Sequence, residues 1–193
     1  MLREKAHGTP AESHRIGTRS IVFIGFMGAG KSKVGRLVAE RFGVPFVDTD
    51  DLIEARTGRT IADIFKTDGE AGFRRNETEA ITEALSGDRK VIALGGGAAT
   101  RDENWDVIDR AGAFTVYLKA SPITILERVA DHTHRPLLAN LTRDEMLAKI
   151  TAMLAEREPN YERARLVIAT DNTVDKHATA DRVYNILLKA LSA

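Results

Sequence analysis

Gly25-Phe26-Met27-Gly28-Ala29-Gly30-Lys31-Ser32 fits the pattern G-x-x-x-x-G-K-[ST], and its setting decides the fold. Before it, Ile21-Val22-Phe23-Ile24 is an apolar run of strand length; after it, Val34, Leu37 and Val38 recur at helical spacing. Strand, glycine-rich turn and helix is the arrangement in which backbone N–H groups converge on phosphate and the positive end of a helix faces them. Gly28, Ala29 and Gly30 let the backbone turn inward, Lys31 supplies a fixed charge, and the Ser32 hydroxyl is a ligand for Mg²⁺. A nucleotide is expected here.

Outward from this loop the chain alternates strands and helices. The first helix runs from Lys31 to Phe42 and stops at Gly43; Pro45-Phe46-Val47 is then extended and ends at Asp48-Thr49-Asp50. Short helices are expected from Asp51 to Arg56 and, capped by Thr60, from Ile61 to Lys66, followed by a longer one from Gly69 to Leu85. Val91-Ile92-Ala93-Leu94 is a second apolar run, and it ends in Gly95, Gly96 and Gly97. Helix from Asn104 to Arg110, strand from Phe114 to Leu118, and a helix opened by Ser121-Pro122 continue the pattern to Val129. A polar, proline-containing loop covers 131–140, a helix runs from Arg143 to Glu156, Leu166 to Ala169 is a last strand, and an amphipathic helix through Val183, Ile186 and Leu187 follows. Such alternation predicts an α/β fold with a parallel sheet covered on both faces, and ligands gathered beyond the carboxyl ends of the strands.

Length and composition narrow the function classes. With 193 residues the chain supports one well-buried domain, taken as 21–193, with 1–20 a polar, flexible extension. The 28 basic and 28 acidic residues cancel, so no global field draws the protein to nucleic acid or an anionic membrane, and the sparse aromatics form no stacking platform. No cysteine is present, which excludes disulfides and thiolate metal sites and fits the cytoplasm. No apolar run is long enough to span a bilayer.

The glycine-rich loop together with Asp48-Thr49-Asp50, Gly72-Phe73-Arg74 and Gly95-Gly96-Gly97 resembles the shikimate kinase family of P-loop kinases. The likeness extends through Thr57-Gly58-Arg59, Ile61-Ala62-Asp63-Ile64-Phe65, Asp68-Gly69-Glu70, Arg135-Pro136-Leu137-Leu138 and Arg157-x-Pro159-x-Tyr161, in the family's order. It implies a monomer with a three-layer fold around a five-stranded parallel sheet, a substrate-binding region over 48–87 and a mobile lid over 131–141. It also implies transfer of the γ-phosphoryl group of ATP to the 3-hydroxyl of shikimate, with Mg²⁺, in aromatic amino acid biosynthesis.

The residues fit that chemistry. Phosphoryl transfer through a loose transition state needs positioning and charge neutralisation more than covalent chemistry. Asp50, past a strand end, is placed to accept the proton of the acceptor hydroxyl, and Asp48, two residues earlier on an extended segment, to reach the metal through water. On their own the two aspartates read equally well as turn residues or a helix cap. The resemblance makes Arg74 and Arg157 the clamp for the acceptor carboxylate, a task suited to planar guanidinium groups. Arg75 reads as a surface charge. Gly96 is expected to offer a backbone N–H to the acceptor, with Gly95 and Gly97 allowing the approach. Arg135, in the lid, is expected to stabilise charge on the transferring group and so to act both in catalysis and in nucleotide binding with Lys31.

Two positions depart from the family pattern: Lys33 stands where threonine is usual, adding charge beside the phosphates or pointing to solvent, and Asn160 stands where leucine is common. No residue among 171–175 matches an adenine contact. His132 and His134 read as solvated rather than as metal ligands. Three other functions compete with this reading: a gluconate or nucleoside monophosphate kinase of the same fold, a regulatory GTPase, and a binding module without catalysis. No Asn-Lys-x-Asp segment supports the GTPase, and a mere binder needs no carboxylate at the acceptor position.

Overall fold

Five extended segments line up in parallel because each feeds a helix that must cross back over the sheet before the next strand begins. In the computed structural model, which describes residues 19–130, 141–171 and 175–191, the strands are β1 (Ile21–Ile24), β2 (Phe46–Asp48), β3 (Val91–Ala93), β4 (Phe114–Lys119) and β5 (Leu166–Ala169). Their order is β2-β3-β1-β4-β5, all parallel, with Val22 of β1 in register with Ile92 of β3 and Thr115 of β4. The helices are α1 (Lys31–Phe42), α2 (Thr49–Thr57), α3 (Ile61–Leu85), α4 (Asp102–Arg110), α5 (Pro122–Val129), α6 (Arg143–Tyr161) and α7 (Lys176–Leu191). The expected α/β class and five-stranded sheet are as observed.

β1 is fully buried along its whole length because the sheet is covered on both sides. Alternate residues serve opposite layers: Val22 and Ile24 pack with Ile108, Ile125, Leu154 and Tyr161, while Ile21 and Phe23 pack with Val34 and Val38 of α1 and Val183 and Leu187 of α7. A smaller third cluster, Ile53, Ile64, Phe73 and Ala80, fastens α2 to α3. This satellite core gives the region bearing Arg74 its own packing beside the carboxyl edge of the sheet.

Three helix bounds differ from expectation. The aspartate-threonine-aspartate segment is not extended throughout: Asp48 ends β2 and caps α2, its side chain accepting from the Asp50 N–H at 3.1 Å, so Asp50 lies in the first helical turn. The two helices expected over Ile61 to Lys66 and Gly69 to Leu85 run together as α3, with Gly69 at φ 68° and ψ −174° breaking the helical geometry where the chain bends. Helix α6 continues five residues beyond Glu156, through Pro159 to Tyr161, and starts on a full capping box between Thr142 and Glu145. Arg157 and Tyr161 are therefore helical, one turn apart. Ser20 is tied to the sheet, its carbonyl accepting from the Phe114 N–H at 2.8 Å and its hydroxyl from the Lys90 N–H at 3.1 Å. Arg135, the Arg135-Pro136-Leu137-Leu138 segment, His132, His134 and residues 1–18 lie outside the described residues.

Candidate active site

The glycine-rich loop leaves the carboxyl end of β1 and delivers the chain into α1, so its amides sit at that helix's N-terminus. Gly28 adopts φ 77°, a conformation side chains resist, and a Cβ there would come within 2.8 Å of Val129. Lys31 is buried, its Nζ donating to the carbonyls of Gly25 and Phe26 at 2.9 and 3.0 Å, which holds the ammonium group inside the loop. Lys33 is exposed at the rim. A cleft of about 560 Å³ opens over the loop and is lined by Gly28, Ala29, Gly30, Lys31, Ser32 and Lys33 on one side and Asp48, Asp50 and Gly96 on the other. Arg128 and Thr170 line it as well.

The two aspartates reach this cleft by different means. The Ser32 hydroxyl donates to Asp48 Oδ2 at 2.6 Å, pairing the two groups expected to serve a metal. A hydroxyl, a carboxylate and water are hard oxygen donors of the kind Mg²⁺ prefers beside substrate phosphates, so the residues fit that ion. Asp50 lines the same cleft, and its Oδ1 is buried without a hydrogen-bond partner among the described residues. Burial, and next the charge of Asp48, push its carboxyl up to about 6, against the pull of Lys31. A carboxyl so tuned is suited to take a proton near neutral pH.

Thr49 is the fastener between these elements. Its fully buried hydroxyl donates to the Ala93 carbonyl at 3.3 Å and accepts from the Gly95 N–H at 3.1 Å, locking the end of β2 to the three-glycine loop that leaves β3. That lock sets Gly95 against Asp50: a Cβ on Gly95 would stand 2.7 Å from Asp50 Oδ1 and 3.3 Å from Glu77 Oε1. Gly95→Ala is therefore expected to displace the carboxylate and lower turnover by about tenfold or more, because small misplacements of reacting groups are costly. Steady-state kinetics beside a nucleotide titration would check this, with unchanged ATP affinity expected.

The arginines sit beyond the cleft, around the glycines. Arg74, with its side chain 16% exposed, donates from Nη1 to Glu77 Oε2 at 2.9 Å and pairs with Glu70 at 3.2 Å. Its guanidinium lies against Gly97, where a Cβ would be 2.8 Å from Nη1. Arg157 donates to the Gly96 carbonyl at 3.4 Å and stacks over the Phe26 ring at 5.5 Å. Arg75, one residue on from Arg74, is exposed, as a surface charge would be. All the expected site residues within the described segments thus meet at one edge of the sheet, around the loops after β1, β2 and β3.

Three further residues of the site are not picked out by the sequence. Glu77 is only 1% exposed and lies among Arg74, Arg101 and Arg157; burial raises its carboxyl and Arg74 most strongly lowers it again. A signal for it does exist: Phe73, Glu77, Ala80, Ile81 and Ala84 share one buried face of α3, and a charge on that face three residues after an arginine needs a partner. Thr49 and Arg128 carry no comparable local mark. Arg128 donates to the carbonyls of Gly28, Ala29 and Thr170, contacts that only the tertiary fold creates.

The family model described as shikimate kinase matches residues 27–188. The shikimate kinase of Symbiobacterium thermophilum is 48% identical over 155 residues, spanning 79% of this chain and 87% of its own. Among solved structures, shikimate kinase from Acinetobacter baumannii in complex with shikimate superposes with a TM-score of 0.84 at 33% identity, covering 93% of this chain and 98% of that one. A gluconokinase from Sinorhizobium meliloti reaches a TM-score of 0.58 at 23% identity over 90% of this chain and 94% of its own, a likeness of fold alone. By the extent of the family match and of its relatives, the chain belongs to the shikimate kinase family.

Proposed function

We infer that this protein transfers the γ-phosphoryl group of ATP to the 3-hydroxyl of shikimate, giving shikimate 3-phosphate and ADP, as a step toward aromatic amino acids. The observation that carries the reading is the position of Asp50: a carboxylate with its Oδ1 buried, lining one cleft with Lys31 and Ser32, with glycines and two arginines beyond it. The amides of Gly28, Ala29 and Gly30 and the ammonium of Lys31 hold the triphosphate. Ser32, and Asp48 through water, would hold Mg²⁺, which when bound neutralises charge on the phosphate oxygens. Asp50 orients the acceptor hydroxyl and takes its proton as the new oxygen–phosphorus bond forms and the bond to the β-phosphate oxygen breaks, its electrons leaving with ADP. Arg74 and Arg157 grip the acceptor carboxylate, which fixes the ring so that only one hydroxyl reaches the phosphorus. Arg135, in the segment that resembles the family's lid, adds charge to the transferring group.

The family resemblance carries the monomer in this reading, and the absence of cysteine fits a reducing cytoplasm. Release of ADP from ATP and magnesium, dependent on shikimate, tests the reading; turnover of another acceptor with shikimate untouched would overturn it. Arg157→Ala is expected to weaken shikimate by about 2 kcal/mol, roughly thirtyfold in KM, with KM for ATP held. Normal acceptor affinity in that variant would remove it from the clamp.

A further inference from the structure

Helix α6 is tied to the three-glycine loop at one atom. The Tyr161 hydroxyl donates to the Gly96 carbonyl oxygen at 2.5 Å, and Arg157, one turn earlier on the same face, donates to that same oxygen at 3.4 Å. The tyrosine is fully buried, its ring against Tyr117 at 5.2 Å between centroids. Burial pushes its hydroxyl up to about 12, so it keeps its proton and remains a donor throughout the working pH range.

The pinned atom governs a second one. No described peptide is cis, so the Gly96 carbonyl and the Gly97 N–H lie in one rigid plane and point in opposite directions. With the carbonyl drawn toward α6, the Gly97 N–H is aimed away from it, and Gly97 is the residue against which the Arg74 guanidinium rests. Neither the Gly96 nor the Gly97 N–H finds an acceptor among the described residues. Thr49 holds the Gly95 N–H and Thr100 holds the Gly97 carbonyl, so among the described residues the peptide between Gly96 and Gly97 is hydrogen-bonded only from α6, and two glycines leave its plane free to turn without those bonds.

We propose that Tyr161 is a positioning residue for the acceptor: its hydroxyl fixes the Gly96–Gly97 peptide so that the Gly97 N–H stands ready beside Arg74 for a polar group of shikimate. The division of labour between the two donors supports this. Arg157's contact with the carbonyl is long, and the guanidinium can turn to an incoming carboxylate while the shorter tyrosine bond keeps the plane in place. The inference rests on the acceptor reading given above, and it adds a residue that touches neither substrate nor nucleotide.

Tyr161→Phe removes the hydroxyl and leaves the ring packing. The expected result is a rise of about tenfold in KM for shikimate, with KM for ATP and kcat each within about threefold of the parent. A rise confined to shikimate is the signature of positioning, whereas a loosened fold would raise both KM values together. An unchanged KM for shikimate, or a parallel rise for ATP, overturns the proposal. Wild-type protein labelled with ¹⁵N tests the Gly97 contact that the proposal requires, independently of how the variant folds. Shikimate alone is expected to shift the Gly97 amide resonance, and a Gly97 amide unmoved at saturation overturns the proposal. Phosphorylation of shikimate by that same wild-type sample tests the acceptor reading separately, so the two failures are distinguishable.

Discussion

Asp50→Asn is expected to cut turnover by about 10²- to 10⁴-fold, to leave ATP binding intact, and to make the ligand-free protein more stable at neutral pH. The first effect follows from chemistry: an amide keeps the shape but cannot take the hydroxyl proton. The second follows from place, since the triphosphate's amides, Lys31 and Ser32 belong to the loop after β1 and the first turn of α1, and Asp50 to the first turn of α2. The third comes from linkage. The Asp50 carboxyl is raised from 3.8 to about 6 in the folded protein, first by burial and then by Asp48, so between about pH 4 and 6 the folded state holds a proton that the unfolded state has released. Stability therefore falls as pH rises through that window, and the loss is complete above it. A carboxyl raised this far costs the folded state on the order of 1–3 kcal/mol at pH 7, which asparagine relieves. Thermal melts at pH 7.5 and at pH 4 would separate the cases: a gain at the higher pH that vanishes at the lower. The same group predicts an acid limb near pH 6 in kcat/KM for shikimate. Unaltered turnover in Asp50→Asn would strike it from the mechanism.

That one residue illustrates where sequence reading succeeds and where it stops. Ile21 to Ile24 is legible because a parallel strand buried on both faces must be apolar at every position, and the loop after it is legible because phosphate binding constrains glycine, lysine and serine locally. The sequence places Asp50 beyond a strand, near the acceptor, but on an extended segment shared with Asp48; the chain bends there because Asp48 caps α2 with its own side chain. Capping competes with strand continuation over a single residue, and propensity alone does not rank the two. The sequence also ends α6 too early, because Pro159 usually stops a helix, yet here it lies in the last turn, and the helix carries on to Tyr161, whose ring is buried and whose hydroxyl is bonded. Glu77 stays hidden for a third reason. Its partners Arg101 and Arg157 come from distant parts of the chain, and a pattern read within one helix shows a misplaced charge without showing what satisfies it.

Glu77 also yields the largest expected loss of stability. Glu77→Ala removes the buried carboxylate that faces Arg74, Arg101 and Arg157, leaving cations of like charge in a part-buried space. Breaking such a pair costs about 3–5 kcal/mol, equivalent to a fall on the order of 10 °C in Tm for a domain of this size. Two opposing effects then act on acceptor binding. Loss of the Glu77 bond frees Arg74 to wander, but Arg74 keeps its contact with Glu70 at 3.2 Å and its place 5.4 Å from the Phe73 ring, and Arg157 keeps the Gly96 carbonyl and the Phe26 ring. Loss of the anion, by contrast, is made good only in part, since Glu70 beside Arg74 and Glu103 beside Arg101 are exposed carboxylates whereas Glu77 is buried among the arginines. The missing negative charge therefore outweighs the loosened geometry, and the carboxylate of shikimate can supply it. Shikimate is expected to raise the Tm of Glu77→Ala by more than it raises that of the parent, while shikimate methyl ester, which has no carboxylate charge, gives the variant no such advantage. Differential scanning fluorimetry with both compounds measures this directly. Equal shifts for acid and ester, or a stability loss below about 1 kcal/mol, would mean that the arginines do not depend on Glu77 for their charge balance.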